Sequence, residues 1–202
     1  MRRATVKRRK LRLLIVGAGD VARRLVAGVN ARPGSRDAIR WLGLARSEAS
    51  AHALRQDGIL PVAGDLDLWP SLRRAGALGR SAAAVLLLAP PPNEGADDPR
   101  LRRWLAAVSA PAPRSTRDRA RLLVRRHRRA DDDAAVNTAI AAGRVRRRRH
   151  ALRGVYVSTT GVYGDCAGER IDETRRARPA SARARRRVAA EARVRSARSQ
   201  RL

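Results

Sequence analysis

The 202-residue chain has no phenylalanine, three tryptophans and two tyrosines, so large aromatics cannot anchor its core and no row of aromatic platforms is available for stacking nucleotide bases. Packing must come from Ala, Leu and Val, the bulk of the 44% apolar residues. A single cysteine, Cys166, cannot close an internal disulfide, which excludes a disulfide-stapled secreted domain and suits a reducing compartment. No apolar run approaches the roughly 20 residues of a membrane-spanning helix. The basic start, MRRATVKRRK, precedes apolar LLIVGAG in the manner of a secretion signal, but Asp20, Arg23 and Arg24 cut that run short and no small-residue cleavage site follows. The chain therefore reads as cytoplasmic, with no membrane partner.

Lysine is nearly absent too. Lys7 and Lys10 are the only lysines among 46 basic residues, which face 18 acids and leave a formal charge of +28. A polycation of this kind binds nucleic acid nonspecifically at low salt whatever its fold, because neutralised phosphates release counterions. Arginine in place of lysine, abundant alanine and missing phenylalanine are also the habit of GC-rich coding sequence, so the charge does not by itself imply a selected partner. No helix-turn-helix or RNA-recognition motif accompanies it. His52, His127 and His150 lie scattered in charged sequence and form no metal-ligand or triad spacing, so no metal site is expected.

The length suits one domain, and the apolar pattern divides it. Residues 12–16 read as a strand ended by the glycines of VGAGDVA, after which Val21, Leu25 and Val29 fall at helical spacing. Strands are expected at 39–45, 59–62, 83–88 and 155–158, the one at 83–88 central and buried on both faces. Helices are expected at 47–56, 70–78, 98–108 (capped by Asp98 with Pro99 following) and from 181 towards 195. Alternation of strand and helix argues a parallel sheet with right-handed crossovers. Residues 1–10 form a basic tail, 11–112 the N-terminal part of one domain, 113–150 an Arg-rich insertion and 151–202 the fifth strand, turn and basic helix of the same domain. The insertion carries thirteen arginines against four acids, with runs at 125–129 and 146–149, and reads as disordered or as an exposed helix.

The first strand ends in Gly17-Ala18-Gly19-Asp20-Val21-Ala22, a G-x-G-x-x-A turn that opens a helix, which is the context a dinucleotide-binding turn requires. Gly17 permits the tight turn, Gly19 lets backbone approach a pyrophosphate, Ala22 keeps helix and strand close, and the helix N-terminus offers N–H groups to the anion. The alternative is a glycine-rich turn that binds nothing. After the second strand, where an acid would hold a ribose 2′-hydroxyl, stand Ala45-Arg46-Ser47, with no acid until Glu48. Arg46 and Ser47 suit a 2′-phosphate, so NADP is favoured over NAD.

LLIVGAGDVARRL, the GDLD after the third strand, VLLLAPPP, VYVSTTGVYGD and IDETRRARPASARARRRVAAE, in that order, resemble the NAD(P)-dependent epimerase/dehydratase group of the extended and atypical short-chain dehydrogenase/reductase superfamily. The resemblance implies a Rossmann-type α/β fold, a doubly wound parallel sheet of about five strands with helices on both faces, whose C-terminal substrate lobe is missing, as in a truncated or frameshifted reading. It further implies that Asp65 and Leu66 face the adenine, that Ala89 and Pro90 line the ribose or nicotinamide side, and that Thr159 stands for the catalytic Ser/Thr. The family's Tyr-x-x-x-Lys is replaced by Arg183 and Arg187, and the guanidinium of Arg183 stays protonated, has no acceptor lone pair and cannot do the work of the tyrosine. Tyr163 is the candidate substitute, although its reading as a turn residue packed beside the fifth strand weighs more. The function this implies is an NAD(P)-binding, oxidoreductase- or epimerase-like domain without turnover; the alternative is a nonenzymatic cofactor sensor or a basic, nonspecific nucleic-acid binder. The small-molecule substrate is not specified.

Overall fold

The computed structural model describes residues 10–110 and 153–199. The Arg-rich 113–150 segment, with its two arginine runs, and nearly all of the basic tail lie outside the described residues. Five strands, β1 (Leu11–Val16), β2 (Ile39–Ala45), β3 (Leu60–Ala63), β4 (Ala84–Leu87) and β5 (Gly154–Tyr156), form one sheet in the order β3-β2-β1-β4-β5. Every pairing is parallel. Between the strands run α1 (Asp20–Asn30), a single turn α2 (Ser35–Ala38), α3 (Glu48–Gln56), α4 (Leu72–Ser81) and α5 (Pro99–Ser109); α6 (Ala182–Ser199) follows β5.

Side chains alternate across the sheet, and each face has its own core. Leu14, Val16, Val85 and Leu87 point to one side and meet Ala75 of α4, Leu101, Trp104 and Val108 of α5 and Ala190 of α6. Ile15 and Trp41 point to the other and meet Ala22 and Val26 of α1 and Ala51 and Leu54 of α3. Trp104 is the largest fully buried side chain, so one tryptophan supplies much of the bulk that the missing phenylalanines would otherwise give.

The strand expectations hold to within two residues, and one reading of exposure needs correction. The middle strand is β1, whereas β4 is interior but not central, and Leu86 on its second face is only partly buried. The inward face of α1 is Ala22 and Val26, both essentially buried, while Val21 is 62% and Leu25 39% exposed. Ala22 and Val26, one turn apart, share the face that packs with Ile15, which leaves Val21 and Leu25 turned outward. The capped helix expected at 98–108 is present: the Asp98 carboxylate accepts from the Leu101 N–H at 3.0 Å, and Pro99 opens the helix.

Candidate functional site

The carboxyl ends of parallel strands are where an open α/β sheet forms its ligand crevice, and an open cleft of about 540 Å³ lies there. It is walled by the turn between β1 and α1, the exits of β2 and β3, and the exit of β4. Gly17 has φ +91°, and a Cβ on it would stand 2.2 Å from the Ala89 nitrogen. That approach is enforced by the sheet, because the Leu88 and Ala89 N–H groups both donate to the Val16 carbonyl, at 2.8 and 3.0 Å. Gly19 is the N-cap of α1 and has no side chain to cap the helix, and nothing lies within 4 Å of where its Cβ would be. The first turn of α1 thus presents backbone N–H groups and the positive end of its dipole to open space.

Of the ten residues nominated for a cofactor, Gly17, Gly19, Asp20, Val21, Arg46, Asp65, Leu66 and Pro90 line this cleft. Ser47 does not. It is the N-cap of α3, its hydroxyl accepting from the Ser50 N–H at 3.2 Å while Ser50 Oγ accepts from the Ser47 N–H at 3.1 Å. Ser50 lines the cleft in its stead. Ala89 lines a separate internal space of about 20 Å³ with Asp98, Trp104 and Tyr156. Arg46 makes no hydrogen bond or ion pair among the described residues.

Among the cleft residues that the sequence reading did not nominate is a charge pair. Arg100 grips Asp67 through Nε (3.0 Å) and Nη2 (2.7 Å), in the bidentate form that makes a charge pair directional. The hydrogen bond from Arg100 holds the Asp67 carboxyl below its ordinary range, with the charges of Arg103 and Arg46 acting in the same direction. A carboxylate therefore does lie in reach of the Arg46 charge, contrary to expectation, but it follows β3 and is already committed to Arg100. The loop itself is pinned: the Asp65 N–H donates to Ser71 Oγ at 2.8 Å and the Asp67 N–H to Asp65 Oδ1 at 2.8 Å. GDLD was a visible signal for Asp67. Arg100 had none.

Thr159 and Tyr163 lie elsewhere than this cleft's lining. Thr159 caps a short 3₁₀ turn (Thr160–Tyr163), its hydroxyl accepting from the Gly161 N–H at 3.4 Å. Tyr163, at the end of that turn, is partly buried next to the buried Val162. Arg183 is exposed, while Arg187 is buried and donates to the Val157 carbonyl (2.9 Å) and the Tyr156 hydroxyl (3.0 Å). Burial raises the Tyr156 phenol above its ordinary range, and the hydrogen bond from Arg187 opposes this only in part. Among the described residues no three His, Cys, Asp or Glu side chains gather as metal ligands, and no helix is long and apolar enough to cross a membrane.

No protein-family model matches the sequence. No curated protein matches it either. Two solved structures resemble it over nearly its whole length. A conserved protein of unknown function from Silicibacter pomeroyi DSS is 24% identical with a TM-score of 0.53, and the match covers 93% of this chain and 50% of that one. A candidate epimerase from Burkholderia cenocepacia J2315 is 18% identical with a TM-score of 0.60, and the match covers 95% of this chain and 51% of that one. The chain thus spans about half the length of either. At these identities the likeness concerns the fold, and with the observed topology it makes this a Rossmann-type α/β chain: a parallel five-stranded sheet with helices on both faces.

Proposed function

We propose that the cleft binds a nicotinamide dinucleotide, NADP in preference to NAD, and that the chain is the cofactor-binding part of an oxidoreductase- or epimerase-like protein of the short-chain dehydrogenase/reductase type. The observation that carries this reading is the meeting, in one cleft, of an uncapped helix N-terminus, the open space beside Gly19 and the unpaired guanidinium of Arg46. The donor set fits the group: N–H groups and the helix dipole suit a pyrophosphate, Asp65 and Leu66 suit an adenine edge, and Arg46 with Ser50 suits a 2′-phosphate. When bound, such a cofactor supplies hydride chemistry; the chain's part is to bind and orient it.

In a fluorescence titration NADPH is expected to bind more tightly than NADH, and Arg46→Asp to reverse the order. A surface ion pair contributes about 1 kcal/mol or less, whereas a charge-assisted pair to phosphate is stronger, so about a tenfold preference is expected. Equal affinities in the unaltered chain, or no effect of the substitution, would remove Arg46 from the site.

The charge of +28 supports a second activity that does not compete with the first, sequence-blind attraction to polyanions. Binding to a random DNA duplex is expected to fall steeply with salt, as it must when basic residues contact phosphates and read no base edges. A marked preference for one duplex over scrambled competitors at about 0.15 M salt would overturn it.

A further inference from the structure

Arg186 and Arg187 are consecutive, buried to 4% and 7% exposure, and neither forms an ion pair among the described residues. Instead they hold backbone. Arg186 Nη1 donates to the Gly95 carbonyl and Nη2 to the Asn93 carbonyl, both at 2.8 Å, while Arg187 takes the Val157 carbonyl just beyond β5. The Nε of each is buried without a partner. Burying two cations with no carboxylate and with unsatisfied donors is costly, and an apolar side chain would seat α6 without that cost. What a guanidinium alone provides is a planar fork that fixes two carbonyls at once. The loop it fixes is the continuation of β4. That loop begins at Pro90 on the cleft wall and is tied again at Asp97, whose carboxylate meets Arg193 at 3.0 Å. In the sheet order, Arg46 and Asp65 follow β2 and β3 at one end of the cleft, and Pro90 follows β4 at the other.

From this we infer that Arg186 is a positioning residue for the half of a bound dinucleotide remote from Arg46, acting through the 93–95 backbone to hold the wall that starts at Pro90. The inference rests on the cofactor reading above. Without the fork, the loop must be ordered by the ligand itself, and that ordering is drawn from the binding affinity.

The test compares a whole ligand with its near half. NADP and adenosine 2′,5′-bisphosphate are titrated calorimetrically into the unaltered chain, R186M and R186K, with thermal unfolding measured on each. R186M is expected to bind NADP about tenfold more weakly, corresponding to the loss of roughly one ordered group. It should still bind the bisphosphate within about twofold of the unaltered chain, as an independent distant site allows. R186K keeps the charge and a single donor nitrogen in place of the two-nitrogen fork, and should fall between the two. Equal weakening of both ligands, or no weakening of NADP, overturns the proposal, and so does failure of both variants to fold, which would make Arg186 purely structural. An unaltered chain that binds neither ligand overturns the cofactor reading itself, a result distinct from any of these.

Discussion

Gly17→Ala is expected to lose dinucleotide binding and a large part of the domain's stability together, whereas Gly19→Ala is expected to lose binding alone. At Gly17 the new methyl group has no place: φ is +91°, and the Cβ would lie 2.2 Å from the Ala89 nitrogen and 2.5 Å from its Cα. Left-handed backbone costs an L-residue about 1–2 kcal/mol and forced overpacking typically a further 1–3 kcal/mol, so a loss of about 2–5 kcal/mol is expected from a domain whose total is of order 5–15 kcal/mol. Relief would require Ala89 to retreat from the Val16 carbonyl, breaking the join between β1 and β4 that shapes the cleft floor. Gly19 has φ −88° and open space where its Cβ would stand, so alanine is tolerated by the fold and intrudes only on what approaches the helix N-terminus. Thermal unfolding and NADPH titration of both variants separate the two effects. A Gly17→Ala chain as stable as the parent would show that the turn does not approach Ala89 as described, and undiminished binding in Gly19→Ala would remove the helix N-terminus from the site.

What was legible in the sequence was whatever is decided locally. Strand β1, its glycine turn and the opening of α1 are one contiguous stretch. The Asp98 cap announces itself within three residues, because capping is a short-range hydrogen bond. Eight of ten nominated residues reach one cleft because the strand exits of a parallel sheet converge there; the glycine turn and Arg46 were nominated from their place after a strand, Asp65, Leu66 and Pro90 through the family resemblance. Pairings across the chain were not legible. Arg100 meets Asp67 from 33 positions away, and Arg186 meets Asn93 from 93 away. In a sequence with 44 arginines no pattern singles out Arg186 and Arg187, the two that are buried among the described residues. The stripe of Val21, Leu25 and Val29 shows helical spacing but does not mark the buried face: Ala22 and Val26 are inside, Val29 packs at the edge of that core, and Val21 and Leu25 are turned outward.

Supplied with NADP or NADPH and a panel of sugar nucleotides and small carbonyls, the chain is expected to bind the cofactor without measurable turnover. A dehydrogenase or epimerase of this type needs a group that exchanges a proton with a substrate hydroxyl or carbonyl, an effect of about 10² to 10⁴ in rate, and a site that orients the substrate. Arg183 is exposed, and its guanidinium stays protonated. Arg187 spends its donors on Val157 and Tyr156. Tyr156, the phenol beside a buried cation, is shifted in the unhelpful direction: burial raises it, so it keeps its proton through neutral pH and cannot act as a base. Thr159 accepts the Gly161 N–H as the cap of its own turn, and Tyr163 ends that turn away from the cleft lining. Absorbance follows the nicotinamide, and product analysis follows epimerisation. Turnover abolished by Tyr163→Phe would make Tyr163 the missing acid–base group and would require the 3₁₀ turn to move towards the cleft. Turnover insensitive to both Tyr163→Phe and Thr159→Ala would place the chemistry on side chains other than those the resemblance nominates.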